Sequence, residues 1–110
     1  MSLFFWKKNK GIDIFANKLA NELFSSVQPQ SIKDYFHASS KDKSAKKNKK
    51  NVDANIQGII KQIQQFRVTH SLGTYGKARL QLKFNERLKE LGYDKDSVSK
   101  LNEFILVNTQ

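Results

Sequence analysis

Residues 52–66, VDANIQGIIKQIQQF, carry the clearest secondary-structure pattern in the chain. Their apolar side chains recur at the spacing of one helix face: Val52, Ile56, Ile59, Ile60, Ile63 and Phe66. At 100° per residue this stripe covers about 120° of the helix surface, while the glutamines and Lys61 lie opposite. Asn51 is a favourable N-cap. The segment therefore predicts an amphipathic helix from Val52 to about Phe66 that buries one face against a core.

Two more helices are predicted downstream, each joined to the preceding helix by a short turn. One runs from about Tyr75 to Leu91 with Thr74 as its cap, and the next runs to about Val107 with Asp94 or Asp96 as its cap. Their apolar stripes consist of Leu80, Phe84, Leu88 and Leu91, then Val98, Leu101, Phe104 and Ile105. Gly73 and Gly92 follow helix ends, where glycine tolerates a left-handed backbone. Leu82 and Ala78 lie opposite the main stripe, which predicts contacts on two faces of that helix.

The segment upstream of Val52 has a very different composition. Residues 38–51, ASSKDKSAKKNKKN, hold six lysines, one aspartate and no large apolar side chain, and so carry half of the net charge of +10. Such a segment cannot bury enough surface to offset the entropy lost on ordering. The composition predicts a flexible linker over residues 38–51, mobile on the nanosecond timescale.

A fourth helix is predicted before this linker, over residues 12–27, IDIFANKLANELFSSV, where apolar residues again share one stripe. Pro29 follows it as a stop, and residues 31–36 could add one short turn. Fourteen residues of flexible coil span about 20 Å. That length lets this helix return to the same unit or reach a second copy, and the sequence leaves both arrangements open.

These patterns predict an all-α fold without strands. The predicted organisation is an N-terminal segment (1–37), a lysine-rich linker (38–51) and a domain of three consecutive helices (52–110). The N-terminal helix is tethered to the three-helix domain by the linker. The expected architecture is a small helical bundle.

Residues that carry catalytic or metal chemistry are sparse. The chain has no cysteine, and His37 and His70 lie far apart without acids at ligand spacing, so neither a metal, a cofactor nor a small-molecule substrate is expected. Gly73 and Gly76 resemble the GxxG loop of the KH RNA-binding module, but that fold needs strands and none is predicted, so we favour a helix–helix turn that uses glycines for chain reversal. Because no catalytic arrangement can be identified, we expect a non-enzymatic protein. A cytoplasmic location is expected because no stretch approaches the ~18 apolar residues of a membrane span.

The positive charge makes nucleic acid or an acidic protein a plausible partner. The candidate nucleic-acid contacts are Lys46, Lys47, Lys49 and Lys50 in the linker, and Lys77, Arg79 and Lys83 on the predicted helix 75–91. Arg79, Lys83 and Arg87 form a ridge at i, i+4 and i+8 that suits the second helix of a helix-turn-helix. Glu86 and Glu90 beside this ridge favour a mixed solvated surface instead. The linker lysines, likewise, could bind phosphates or serve only as a soluble tether.

A separate candidate surface is apolar. Leu3, Phe4, Phe5 and Trp6 precede Lys7 and Lys8, a combination typical of segments that bind a membrane surface or a protein partner. The alternative is that these side chains cover the bundle. Leu82 is a second candidate partner residue. The rival to nucleic-acid binding is therefore a protein–protein adaptor or a small homo-oligomer.

The stretch LGTYGKARL at residues 72–80, with Phe84, Leu88 and Leu91-Gly92-Tyr93 after it, resembles a pattern in short uncharacterised bacterial proteins. The resemblance covers about 20 to 40 residues and contains no catalytic motif. It implies a bacterial cytosolic origin and no activity. It also directs attention to the turn at residues 72–79.

Overall fold

The computed structural model describes residues 2–37 and 43–109, with side chains over residues 9–36 and 46–109. These residues form helices α1 (Ser2–Ser26), α2 (Pro29–His37), α3 (Lys43–Thr69), α4 (Thr74–Glu90) and α5 (Lys95–Asn108). No strand occurs within the described ranges. The predicted all-α fold is confirmed.

The closest helix packing in the described chain joins α1 to α4. Three hydrogen-bonded residue pairs, each separated by 66 positions, connect them. Arg79 donates to Asp13 and Arg87 to Asn21 between the helices, and Tyr93 donates to Val27 just beyond their ends. A constant separation means that the two helices run in the same direction and in a single register. Pairs of parallel helices need a long connection, and here α2 and α3 supply it.

The other two long helices run the opposite way. Gln62 of α3 donates a hydrogen bond to Glu22, and Phe66 stacks on Phe15 at a ring separation of 4.0 Å, so α3 is antiparallel to α1. A tight turn connects α4 to α5, and Asn85 donates a 3.0 Å hydrogen bond to Asn102 between them. The result is a four-helix bundle in which α2 packs against the first half of α3.

All five helices contribute to one hydrophobic core. The largest fully buried side chains come from every helix: Ile12, Leu19, Leu23, Ile32, Ile56, Leu80, Phe84, Leu88, Leu101 and Ile105. The predicted apolar stripes are the faces that are buried. The N-terminal helix therefore packs on its own chain, which is one of the two arrangements that the sequence leaves open.

Helix α3 differs from its sequence prediction at its start. It begins at Lys43 rather than Val52, so residues 43–51, predicted as linker, are helical. Lysine and alanine are good helix formers, and Asn48 donates a 3.1 Å hydrogen bond to the Ser31 carbonyl of α2. Asn51, the predicted cap, lies inside the helix. The predicted mobility of this segment stays a prediction, and residues 38–42 lie outside the described ranges.

Helix α1 is also longer than predicted, since it begins at Ser2 rather than Ile12. Gly11, which suggested a boundary, lies within the helix, and no atom approaches within 4 Å of where its Cβ would be. Pro29 both follows α1 and begins α2. Proline suits that position because a first-turn residue needs no backbone donor. The short turn expected at 31–36 is part of this nine-residue helix.

The helix ends show which turn predictions hold. Gly92 adopts φ 107°, and the Tyr93 amide donates to the Leu88 carbonyl at 3.1 Å, as expected for a glycine-terminated helix. Asp94 caps α5 by accepting a 2.7 Å hydrogen bond from the Ser97 amide. At the end of α3, however, the left-handed residue is Ser71, with φ 50°, and not Gly73.

Gly73 instead occupies the N-cap position of α4, which was predicted for Thr74, in an extended conformation. The second glycine of this turn, Gly76, is buried inside α4. A Cβ there would lie 3.1 Å from Leu72 and 3.6 Å from Ile12. The absent side chain lets the first turn of α4 approach both neighbours, so the two glycines serve chain reversal and helix packing.

Candidate nucleic-acid interface

The cationic ridge on α4 begins with Arg79, whose guanidinium is held by α1. Its Nε and Nη2 donate hydrogen bonds of 2.9 and 2.8 Å to the two carboxylate oxygens of Asp13. Tyr75 accepts a longer bond of 3.4 Å from Nη1. The Asp13 contact raises the pKa of Arg79, against a smaller opposing effect of burial. Arg79 therefore stabilises the packing of α4 against α1.

The next two cations of the ridge also have partners. The Lys83 Nζ atom lies 3.5 Å from Glu86 Oε2, and the Arg87 Nη1 atom lies 3.5 Å from Glu90 Oε2. Arg87 also donates a 3.2 Å hydrogen bond to Asn21 of α1. The glutamates that flank the ridge in the sequence thus pair with it, and its inner side faces α1. This is the mixed surface that the sequence offered as the alternative to a helix-turn-helix reader. Lys77, six positions before Lys83, is exposed.

The lysines near the start of α3 have different surroundings. Lys46, Lys47, Lys49 and Lys50 are all exposed. Within the described part of the chain, no carboxylate lies within salt-bridge distance of any of them. Helix α3 contains a single acid, Asp53, and its carboxylate accepts a hydrogen bond from the Tyr35 hydroxyl. Asp53 lies one turn from Lys49 and Lys50 but outside salt-bridge distance, so the four cations stand together without an ion pair among the described residues.

The lysine-rich end of α3 extends past the neighbouring helix. Asn51 lies level with Ser26, the last residue of α1, to whose carbonyl its amide donates at 3.5 Å. Residues 43–50 continue beyond that level for about 12 Å of helix. Helix α2 supports this extension through Asn48 and the Tyr35–Asp53 hydrogen bond. Burial, with the Asp53 hydrogen bond and charge, raises the pKa of Tyr35 to about 12.

This placement of lysines is electrostatically unfavourable for the helix. The first turn of α3 has no acid, and the positive end of the helix dipole lies beside the lysines. Lys46 and Lys50 are four positions apart, a spacing at which like charges repel. Local rules of this kind are broken mainly at functional sites. The sequence identified these lysines but missed the helix that presents them, although lysine and alanine have the propensity to form one.

The exposed apolar side chains include one predicted partner residue. Leu82 is 55% exposed, and Tyr75 on the same side of α4 is 56% exposed. Ala78 between them is exposed as well, so the second face of α4, predicted to make a contact, is open to solvent within this chain. The side chains of Leu3, Phe4, Phe5 and Trp6 lie outside the described residues, and their role stays a prediction.

Features that would suggest other chemistry are weak. In the described ranges no three His, Asp or Glu side chains are grouped so as to hold a metal ion. Also within those ranges, no helix has the length and apolar character required to cross a membrane. A groove of about 270 Å³ between α1 and α3 is lined largely by small and polar residues, including Ser25, Ala54 and Gly58.

No family model, curated protein or solved structure matches this chain. The resemblance to short bacterial proteins accordingly stays a prediction. Any functional conclusion has to be argued from the geometry and charge described above.

Proposed function

We propose that this protein is a non-enzymatic binding protein that holds the phosphate backbone of nucleic acid through the lysine-rich end of α3. The observation that carries the proposal is the group Lys46, Lys47, Lys49 and Lys50, exposed on a helical extension and unpaired within the described residues. The α4 cations contribute less, because Arg79 and Lys83 already have carboxylate partners. The proposal includes a cytoplasmic location and the bacterial origin that the resemblance implies.

Counterion release gives the proposal a quantitative form. Each phosphate neutralised on duplex DNA adds about −0.9 to the slope of log affinity against log salt. Four lysines then account for a slope of about −3.6. Between about 0.1 M and about 1 M salt, this slope corresponds to a loss of roughly 4,000-fold in affinity. The binding would be largely independent of sequence, because phosphates carry no sequence information.

Salt-dependent fluorescence anisotropy with a labelled duplex tests the proposal between ~50 and ~200 mM salt. The variant changes Lys46, Lys47, Lys49 and Lys50 to glutamine. A matched control changes four exposed lysines elsewhere to glutamine and so removes the same charge: Lys10, Lys18, Lys89 and Lys95. We expect a large loss of affinity and a flatter slope in the first variant only.

Two outcomes would overturn the proposal. One is equal loss in both variants, which would show that net charge alone governs binding. The other is that the unmodified protein binds no duplex DNA, single-stranded DNA or RNA at ~50 mM salt, where such contacts are strongest.

A specific observation also favours a second function, that of a protein adaptor or small homo-oligomer. Tyr75 and Leu82 expose more than half of their surface on one side of α4. A partner covering this side would bury both side chains. Sedimentation velocity over a range of concentrations, comparing the protein with a Leu82→Glu variant, tests self-association. A monomer at all concentrations would leave only a different protein, such as an acidic one, as the partner.

A further inference from the structure

The lysine-rich end belongs to a longer exposed face of α3. At 100° per residue, the following residues fall within an arc of about 100°. Between Lys46 and Gln65 they are Lys46, Lys47, Lys50, Ala54, Gln57, Lys61, Gln64 and Gln65, and all are exposed. We call this set the α3 outer face. Lys49 falls outside this arc, at an angle between those of Ile56 and Ile60, and is nevertheless exposed. From Lys46 to Lys61 the outer face is about 22 Å long.

The chemistry of the α3 outer face is uniform along its length. It holds lysines, glutamines and an alanine, and no acid. Asp53 lies just outside the arc, with its carboxylate engaged by Tyr35 of α2. A polyanion that contacts Lys46 and Lys50 can therefore continue to Lys61 without meeting an acid on this face. Glu22 of α1 lies across the neighbouring groove, where its carboxylate accepts a hydrogen bond from Gln62. Such complementarity fits a phosphate-bearing partner better than a protein surface of mixed charge.

Gly58 gives an independent indication of close approach beside this face. It lies within α3, where glycine costs about 1 kcal/mol relative to alanine. Apart from the adjacent residues and the nearby backbone of α3 itself, no atom of the described chain lies within 4 Å of where its Cβ would be, so packing against other parts of the protein does not require a glycine here. Ala54, one turn earlier, has a small side chain as well, so side chains project little from this part of the helix. A partner's backbone could approach closely at this point.

The form of the partner follows from what the face offers. Single-stranded nucleic acid is bound mainly by stacking on aromatic side chains, and none of the outer-face residues is aromatic. The major groove of an A-form RNA duplex is too narrow for side chains to enter. The major groove of B-form DNA, about 12 Å wide, admits an α-helix between two lines of phosphates.

We propose that α3 lies in the major groove of duplex DNA along its whole outer face, with Lys61 as a further phosphate contact and Gln57 facing the base edges. This inference rests on the proposed function and extends the contact beyond Lys50. Glutamine is suited to this position because its amide can both donate and accept hydrogen bonds at adenine. The lysines supply affinity, and Gln57 supplies a modest preference among sequences.

Three single variants test the extent of the face by fluorescence anisotropy at about 0.1 M salt. Gln57→Glu places an acid in the centre of the face and should lower duplex affinity by about tenfold or more. Ser99→Glu adds the same charge to an exposed position on α5 and should change affinity far less. Lys61→Gln should reduce the salt slope by about 0.9, the value for one phosphate.

Gly58→Leu adds a readout that does not depend on charge. The substitution should raise the melting temperature, because leucine is a better helix former and nothing occupies the space. It should also lower duplex affinity, because the added side chain prevents the DNA backbone from approaching α3 closely. A stabilised variant with unchanged affinity would refute close approach at Gly58.

The outcomes separate this inference from the proposed function. If Gln57→Glu and Lys61→Gln bind like the unmodified protein, while loss of the four lysines abolishes binding, the contact ends at Lys50 and the inference is wrong. If single-stranded DNA or duplex RNA binds as tightly as duplex DNA, the groove assignment is wrong. If no nucleic acid binds, both proposals fail together.

Discussion

The α3 outer face and the cationic ridge on α4 are both rich in cations, but the cations of the two regions have different partners. On α4, Arg79 is clamped by Asp13 and Lys83 by Glu86. On α3, Lys46 and Lys50 have no such partner among the described residues. Regular spacing of cations along a helix is thus a poor guide to ligand binding. Whether each charge is already neutralised within the molecule is the better criterion.

The largest expected effect concerns the core that supports both regions. Ile63 is 3% exposed at the centre of the α3 stripe. Ile63→Ala should lower the free energy of unfolding by about 2–5 kcal/mol, through lost burial and a cavity. Urea denaturation measures the change, with exposed Gln65→Ala as the control. Similar losses in the two variants would mean that the buried and exposed faces of α3 are wrongly assigned. The comparison between the cations of α3 and α4 would then be wrong as well.

The next effect tests whether the α4 cations are structural. Asp13→Asn removes the charged partner of the Arg79 guanidinium and should lower the free energy of unfolding by more than the control variant does, because both side chains of this pair are less exposed than those of the control pair. The control is Glu86→Gln, which breaks the more exposed pair with Lys83 and should cost at most about 0.5 kcal/mol. If Asp13→Asn left stability unchanged, Arg79 would be available for a ligand and the contrast with α3 would disappear.

A smaller effect of opposite sign is expected at the lysine-rich end. Changing Lys46, Lys47, Lys49 and Lys50 to glutamine removes repulsion among them and with the helix dipole. The protein should become more stable by about 0.5–1 kcal/mol while losing its proposed ligand. Thermal unfolding followed by circular dichroism measures the change. A destabilised variant would assign these lysines a structural role, as on α4.

The smallest effect concerns the hydrogen bond that joins α2 to α3. Burial and Asp53 raise the pKa of Tyr35 to about 12, above the value of about 10 expected when the chain is unfolded. The stability contributed by the neutral phenol is complete below about pH 10 and is lost as the pH rises towards 12. Tyr35→Phe should therefore show a shallower fall in stability over that range. A residual slope should remain, because burial also raises the pKa of Tyr93.

Much of this fold is predictable from local sequence, and the parts that are not share a cause. The buried faces of α3, α4 and α5 follow from apolar spacing, and Gly92 and Asp94 mark the α4–α5 turn correctly. The start of α3 does not follow from composition, because a segment without large apolar side chains predicts a linker and the contact from Asn48 to α2 is not visible in the sequence. Tertiary contacts override local preference in this way.

The candidate site shows the same limit. Composition identified the lysines of α3, and spacing identified the ridge of α4. Neither could show that Arg79 would meet Asp13, because that pairing depends on two helices far apart in the chain lying in one register. Periodicity indicates which face of a helix is buried, but not which helix covers it. The distinction between engaged and free cations therefore required the structure.

The parallel pairing of α1 with α4 has a consequence for how the chain reaches its fold during translation. The hydrogen bonds between these helices and just beyond their ends join residues 66 positions apart. At ribosomal rates of about 5–20 residues per second, roughly 3–13 seconds pass between synthesis of a residue in α1 and of its partner in α4. During that interval the apolar stripe of α1 lacks its main cover. The nascent chain is thus open to chaperone capture or to aggregation until α4 emerges from the ribosome.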